Sequence, residues 1–296
     1  MSELEYLKID AFTDGRSSGN PAGVVFLKDG VKLTEAEMQE IARQQKGIVN
    51  EVAFCTPLDK GFCALKYYSS ECEVEFCGHA TIACMYQLIK NDPALLQMDQ
   101  IMIRTCKGDL PVMNDISNSD SVYIMAPAPE YIPYNLKRET IARNLNVPEN
   151  IIVRDQEVSL VNGGLKTLIV PIRSLSDIVA INPDQMTLQQ FCLNNNIDII
   201  LVYTSDVLNN QNNYRTRVFA PKFGYLEDPA TGSGNAAFGY YLLKLNQWDG
   251  DSFAIEQGPS MEFPNVVKLK TMEIEESQRV LFGGNATVKY SKNVEL

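Results

Sequence analysis

The sequence predicts an α+β fold of two related domains, and three observations point there. The chain has 296 residues, which suits two domains of roughly 150 residues. Its strand-like and helix-like segments mix without the regular strand–helix–strand alternation of a doubly wound parallel sheet. An internal echo adds the third. Cys77-Gly78-His79-Ala80-Thr81-Ile82-Ala83 can be laid on Thr231-Gly232-Ser233-Gly234-Asn235-Ala236-Ala237, 154 positions on and about half the chain away. Gly78 then falls on Gly232, Ala83 on Ala237, Tyr86 on Tyr240 and Leu88 on Leu242. The echo predicts a pseudo-twofold pair of domains.

The elements follow in order. Leu4 to Phe12 alternates like a strand. The turn-rich TDGRSSGNP of Thr13–Pro21 reads as a loop, and Ala22–Leu27 as a second strand. Thr34 opens a helix, with Glu37 three residues on completing a capping box; it runs to about Lys46. Strands are predicted at Glu51–Thr56 and Phe62–Tyr68. A helix starts near His79 and stops at Asp92-Pro93. Strands are expected at Ile101–Thr105, Leu110–Met113 and Val122–Met125. The proline-rich APAPEYIP of Ala126–Pro133 reads as the linker between domains. In the second half, helices are expected at Arg138–Leu145, Thr187–Asn194 and Ser233–Leu245. Strands are expected at Leu165–Ile172, Ile197–Tyr203, Arg215–Ala220, Ser252–Gln257, Val266–Glu273, Val280–Gly283 and Ala286–Tyr290.

Composition narrows the chemistry. Acidic residues outnumber basic ones, 37 to 26, for a net charge of −11. Phosphate neutralisation needs clustered Lys and Arg, so neither nucleic acid nor an anionic membrane is an expected partner. His79 is the sole histidine, which excludes any two-His metal site. Seven cysteines, none in a CxxC pair, argue against structural zinc. The N-terminus is acidic and lacks an apolar core of the kind a signal peptide has. With free thiols, the expected setting is cytoplasmic.

Each candidate motif has a plain reading beside the functional one. Gly232–Ala237 matches G-x-G-x-x-A, the form of a dinucleotide fingerprint, and would suit a nucleotide-binding oxidoreductase. That fingerprint needs a strand directly before it, and Pro229 interrupts one. Cys77 and His79 could form a nucleophile pair; side chains two apart at a helix start are expected to diverge. Glu51 interrupts an apolar strand start and reads, on pattern alone, as a residue on a polar strand face. Asp228-Pro229 is a common turn start. Asp228 gains interest from standing just before the helix start at Gly232, since helix N-termini present amides and partial positive charge to an anion.

Taken together, several stretches resemble the phenazine-biosynthesis PhzF-like family, within the diaminopimelate-epimerase-like fold. They are Gly19-Asn20-Pro21-Ala22-Gly23-Val24, Asn50-Glu51-Val52-Ala53-Phe54, Glu75-Phe76-Cys77-Gly78-His79-Ala80-Thr81 and Asp228-Pro229-Ala230-Thr231-Gly232-Ser233-Gly234. Gln257-Gly258 and Val280-Leu281-Phe282-Gly283-Gly284 add to them. The resemblance implies two domains, each a curved mixed sheet wrapped around a central helix, with the active site between them. The domains are expected at 1–126, with about 285–296 returning to it, and at 127–284. By resemblance, Glu51 is the general acid/base of a proton-shuttling isomerase that uses no pyridoxal phosphate, no metal and no other cofactor. His79 and Asp228 join it as catalytic partners. Asn20, Cys77, Gly78, Thr231, Gly232 and Ser233 are expected to bind a small carboxylate-bearing, amino- or hydroxy-substituted substrate. A homodimer is implied by the family alone.

Two departures matter. Amino-acid epimerases of this fold use two cysteines; Cys77 occupies the first position and Thr231 the second. Where the family shows Gly-Arg-Pro-Ser, this chain has Glu262-Phe263-Pro264-Asn265. The alternatives are a non-catalytic small-acid binder and a racemase using Cys77.

Overall fold

The computed structural model describes residues 4–28 and 30–294. Residues 1–3 and 295–296, included in the predicted domain ranges, lie outside the described residues. The chain forms two compact units, Met1–Met125 with Gly283–Leu296 and Ala126–Phe282.

The first half holds β1 (Leu4–Ala11), β2 (Asn20–Phe26), α1 (Glu35–Gln44), β3 (Glu51–Asp59), β4 (Phe62–Ser69), β5 (Glu73–Val74), α2 (Gly78–Asn91), α3 (Pro93–Leu96), β6 (Gln100–Thr105), β7 (Gly108–Asn114), α4 (Ile116–Ser119) and β8 (Val122–Met125). Next come β9 (Glu130–Ile132), α5 (Arg138–Asn144), β10 (Ser159–Asn162), β11 (Lys166–Pro171), α6 (Leu175–Ala180), α7 (Gln185–Asn194), β12 (Ile199–Thr204), β13 (Tyr214–Phe219), β14 (Glu227–Asp228), α8 (Gly232–Lys244), β15 (Phe253–Gln257), β16 (Asn265–Ile274) and β17 (Ser277–Gly284). The last strand, β18 (Ala286–Val294), pairs antiparallel with β1 in the first unit.

Strand pairing repeats between the units. In the first, β1 is antiparallel to β2, β2 parallel to β3, β3 antiparallel to β4, β4 parallel to β6, and β6 antiparallel to β7. In the second, β10 is antiparallel to β11, β11 parallel to β12, β12 antiparallel to β13, β13 parallel to β15, and β15 antiparallel to β16. The short β5 and β14 each add antiparallel to the fourth strand of their series. Such mixed sheets make the fold α+β.

Each sheet surrounds one helix. Helix α2 packs against β1, β2, β3, β8 and β18, and α8 against β10, β11, β12 and β16. A helix enclosed this way must be apolar nearly all round. Ala80, Ile82, Ala83, Cys84, Met85, Tyr86 and Ile89 of α2 are buried, as are Gly234 through Leu242 of α8. Small residues let strands approach closely: a Cβ on Gly232 would sit 2.2 Å from the Phe282 ring. Helix α1 instead shows one apolar stripe, Met38, Ile41 and Ala42, toward β3 and β4. Its capping box is present, with Thr34 and Glu37 bonding each other's backbone amides.

The differences from the sequence reading are local. Pro93 does end α2, but it then opens the four-residue α3, capped by Asp92, because proline needs no N–H partner at a first helical turn. The proline-rich segment is not wholly a linker. Between Pro129 and Pro133, Glu130–Ile132 keeps its amides and pairs with β10 as β9. Strand β10 and helix α6 had no periodic signal long enough to read; α6 is six residues, capped by Ser174.

Candidate active site

In the first unit, the β2–β3 register sets Gly23 beside Val52. This brings Asn20, buried at the start of β2, to the same end of the sheet as Glu51, the first residue of β3. Antiparallel pairing sets Glu51 opposite Ser69. The chain then passes through β5 and enters α2 at Gly78, with Cys77 as its N-cap. Cys77 has extended backbone (φ −132°, ψ 109°), and its side chain makes no capping bond.

That extended N-cap decides the geometry. Cys77 Sγ lies 3.4 Å from His79 Nδ1, whereas side chains two apart were expected to diverge. Divergence applies within a helix; here one residue precedes the helical turn and the other lies inside it. Sγ is 3.9 Å from Glu51 Oε2, and His79 Nε2 is 3.4 Å from the same oxygen. The three atoms form a compact triad of carboxylate, imidazole and thiol. The side chains of Glu51 and His79 retain 22% and 14% exposure, so Glu51 is half-buried rather than on an open polar face. Burial raises its carboxyl from 4.5 to about 7, opposed by the Cys77 thiol contact. Removal from water disfavours the charged form.

In the second unit, Thr231 is the N-cap of α8 and Gly232 its first residue. Its backbone (φ −122°, ψ 105°) is close to that of Cys77, and it too makes no side-chain capping bond. Its hydroxyl instead donates to the carboxylate of Asp228, a buried residue of β14. Gln257 holds this corner together. Its Oε1 accepts from the Thr231 amide (2.9 Å) and Asn235 Nδ2 (2.7 Å), and its Nε2 donates to the Asp228 carbonyl (2.9 Å). Ser233 follows Gly232 in the first turn and is partly buried.

The echo reaches side-chain detail. Thr81 Oγ donates to the Cys77 carbonyl (2.7 Å), and Asn235 Nδ2 to the Thr231 carbonyl (2.9 Å). The two pairs are 154 positions apart.

The structure therefore brings Glu51, Cys77 and His79 together, with Gly78 between the last two. It brings Asp228 and Thr231 together beside Gly232. Sequence reasoning missed Gln257 and Asn235 as the residues that fasten the second corner. Gln257 stood in a matched motif, but nothing in it pointed 26 residues back to Thr231. The dinucleotide reading has no support in the strand before α8. Strand β14 is two residues long and antiparallel to β13, where the fingerprint needs a parallel strand running into the helix.

Residues 9–292 match the family model described as phenazine biosynthesis-like protein. The chain belongs to that family. It is 29% identical to an uncharacterized isomerase of Clostridium acetobutylicum over 98% of this chain and 97% of that one. Among solved structures, a PhzF-family phenazine biosynthesis protein of Bacillus anthracis superposes with a TM-score of 0.87 at 23% identity, covering both chains fully. A hydroxyproline epimerase from Agrobacterium vitis, with bound trans-4-OH-L-proline, gives a TM-score of 0.62 at 13% identity, covering 99% of this chain and 91% of that one. At these identities the two structures establish the fold. Among the described residues no helix is long and apolar enough to cross a membrane.

Proposed function

We propose that this protein is a cofactor-independent isomerase that moves a proton on a small carboxylate-bearing, amino- or hydroxy-substituted acid. One observation carries the reading: the Glu51 carboxyl is half-buried beside His79 and Cys77, with its pKa raised to about 7. A group that first takes and then returns a proton works best with a pKa near the working pH. Family membership and the isomerase name of the Clostridium relative support the reaction class. The hydroxyproline bound to a protein of the same fold supports the substrate class.

In this reading Glu51 removes a proton from substrate carbon and returns it to another atom. His79 Nε2 orients the carboxylate that it faces. The amide-bearing start of α2 at Gly78 stabilises negative charge that develops during transfer. In the second unit, Asp228 serves as a catalytic partner and Thr231, Gly232 and Ser233 serve substrate binding, the start of α8 suiting a carboxylate. Asn20 serves binding in the first unit. We further propose a cytoplasmic homodimer.

The racemase alternative has one observation for it, the closeness of the Cys77 thiol to His79. Thr231, at the echo position of Cys77, offers a hydroxyl already given to Asp228, so a second thiol base is lacking there.

Solvent deuterium wash-in tests the reading. Wild type and Glu51→Gln are incubated in deuterated buffer with a panel of amino- and hydroxy-acids and followed by NMR. Exchange at one carbon with wild type alone is expected. Exchange that survives in Glu51→Gln contradicts the mechanism, and binding without exchange in wild type favours a non-catalytic binder.

A further inference from the structure

The carboxylate, imidazole and thiol that face one another at the start of α2 are also a set of metal donors. Among the described residues, Glu51, Cys77 and His79 are the group of three such side chains whose ligand atoms all lie within 4.8 Å of one another. They stand on two elements fixed by the sheet, β3 and the N-terminus of α2.

The donor triangle has edges of 3.4 Å (Nε2 to Oε2), 3.9 Å (Sγ to Nε2) and 3.9 Å (Sγ to Oε2). Tetrahedral zinc, with bonds of about 2.3 Å to sulfur and about 2.0–2.2 Å to nitrogen and oxygen, sets its ligands roughly 3.3–3.6 Å apart. The observed triangle matches on one edge, and Sγ lies nearer Nδ1 (3.4 Å) than Nε2 (3.9 Å), so binding requires the Cys77 side chain to swing toward Nε2. The remaining exposure of Glu51 and His79 leaves a path for the ion and room for water as fourth ligand. One thiolate, one imidazole and one carboxylate select a borderline-soft cation over a hard one such as Mg²⁺.

We propose that Glu51, Cys77 and His79 bind one Zn²⁺, and that the bound ion blocks proton transfer by occupying the Glu51 carboxylate. The blocking half rests on the proposed isomerase reading; the binding half does not. On binding, zinc forms bonds to Sγ, Nε2 and one carboxylate oxygen, and the thiol proton, together with the carboxyl proton wherever Glu51 holds one, passes to buffer. No oxidation state changes. Zinc is thus a reversible inhibitor, removed by chelators.

The test is zinc titration of the full-length protein by calorimetry, with Co²⁺ as a coloured surrogate whose thiolate charge-transfer band reports the Cys77 bond. One site per chain is expected in wild type, unaffected by excess Mg²⁺. The double variant Cys72→Ser/Cys106→Ser, which removes the two exposed thiols, retains it. Affinity falls at least about tenfold in Cys77→Ser and in His79→Gln, and the Co²⁺ band disappears in Cys77→Ser. Thermal melts check that each variant is folded, and His79→Gln stands in if Cys77→Ser is not. Absence of a stoichiometric site overturns the proposal. So does affinity unchanged in Cys77→Ser and His79→Gln, or lost in the double variant. With a substrate from the wash-in panel, zinc is expected to stop exchange and a chelator to restore it; full exchange in the zinc-saturated protein overturns the blocking half. A zinc site in a protein that exchanges no proton leaves the binding half standing and counts against the isomerase reading.

Discussion

The starts of α2 and α8 share a backbone and differ in the polar side chains gathered around it. Both N-caps are extended, both lack a side-chain cap, and both accept a bond at their carbonyl from the residue four positions on. At α8 the surrounding polar groups are saturated. Gln257, Asn235, Thr231 and Asp228 bond one another at 2.7–3.1 Å or less. At α2 the corresponding contacts of Glu51, Cys77 and His79 are 3.4–3.9 Å long. Short mutual bonds hold the α8 corner in shape. The three side chains at α2 meet one another only at these longer distances, around a half-buried carboxyl. In the proposed reading, the looser copy is the one that does the proton chemistry.

The largest expected effect is at Glu51. Glu51→Gln removes the proposed proton carrier while keeping shape, so exchange is expected to fall by roughly 10²–10⁴, the usual worth of general acid–base catalysis. Deuterium wash-in reads it. A variant with wild-type exchange breaks the comparison.

Next comes the clamp. Gln257→Ala removes the buried bonds that the Thr231 amide, Asn235 Nδ2 and the Asp228 carbonyl make to Gln257. It is expected to cost about 2–4 kcal/mol in urea unfolding, since each stranded buried polar group costs about 1–3. A loss below half a kcal/mol would show that the corner is not a clamp. Gly232→Ala is a second route to the same corner. Its Cβ would meet the Phe282 ring at 2.2 Å, for an overpacking cost of about 1–3 kcal/mol.

The pH dependence separates the two corners. The folded Glu51 carboxyl is raised from 4.5 to about 7. Below pH 4.5 it is protonated in both states and burial carries no electrostatic cost. Between 4.5 and 7 the unfolded chain ionises first, so this group's contribution to stability declines and is lost above pH 7. Glu51→Gln abolishes that cost. It is expected to be more stable than wild type at pH 8, by an amount on the order of 2–3 kcal/mol, and to match it near pH 4. Equal stability at pH 8 would mean Glu51 is ionised without penalty.

The smallest effect is at Cys77. If the thiol is a passive neighbour, Cys77→Ser slows exchange less than tenfold. A loss comparable to that of Glu51→Gln would transfer the role of base to the thiol.

The parts of this architecture with local causes are legible in the sequence. Thr34 and Glu37 announce the start of α1 because a capping box spans three residues. Val122–Met125 is predicted with the bounds it has. The spacing of Gly78 and Gly232 announces that two helices begin alike, and at Gly232 the Phe282 ring leaves no room for a Cβ. What escapes is whatever depends on distant partners. The two-residue β5 and β14 exist only because β4 and β13 lie beside them. Glu130–Ile132 is a strand only because β10 accepts it. The site divides the same way. Residue types at Glu51, Cys77 and His79 mark them as candidates. Their convergence on one carboxylate oxygen needs the β3–β4 pairing that leads the chain to α2, and the extended N-cap. Gln257 looks like any polar residue at a strand end until β15 sets it against Thr231.

The proposed proton transfer depends most on a carboxyl that keeps its proton to neutrality. Carbon-13 NMR of protein labelled at glutamate side-chain carboxyls, with the Glu51 signal assigned by its disappearance in Glu51→Gln, reads this directly. The account predicts one glutamate resonance titrating near pH 7, well above the rest. A Glu51 resonance titrating near 4.5 would contradict it and make Glu51 an ordinary surface acid.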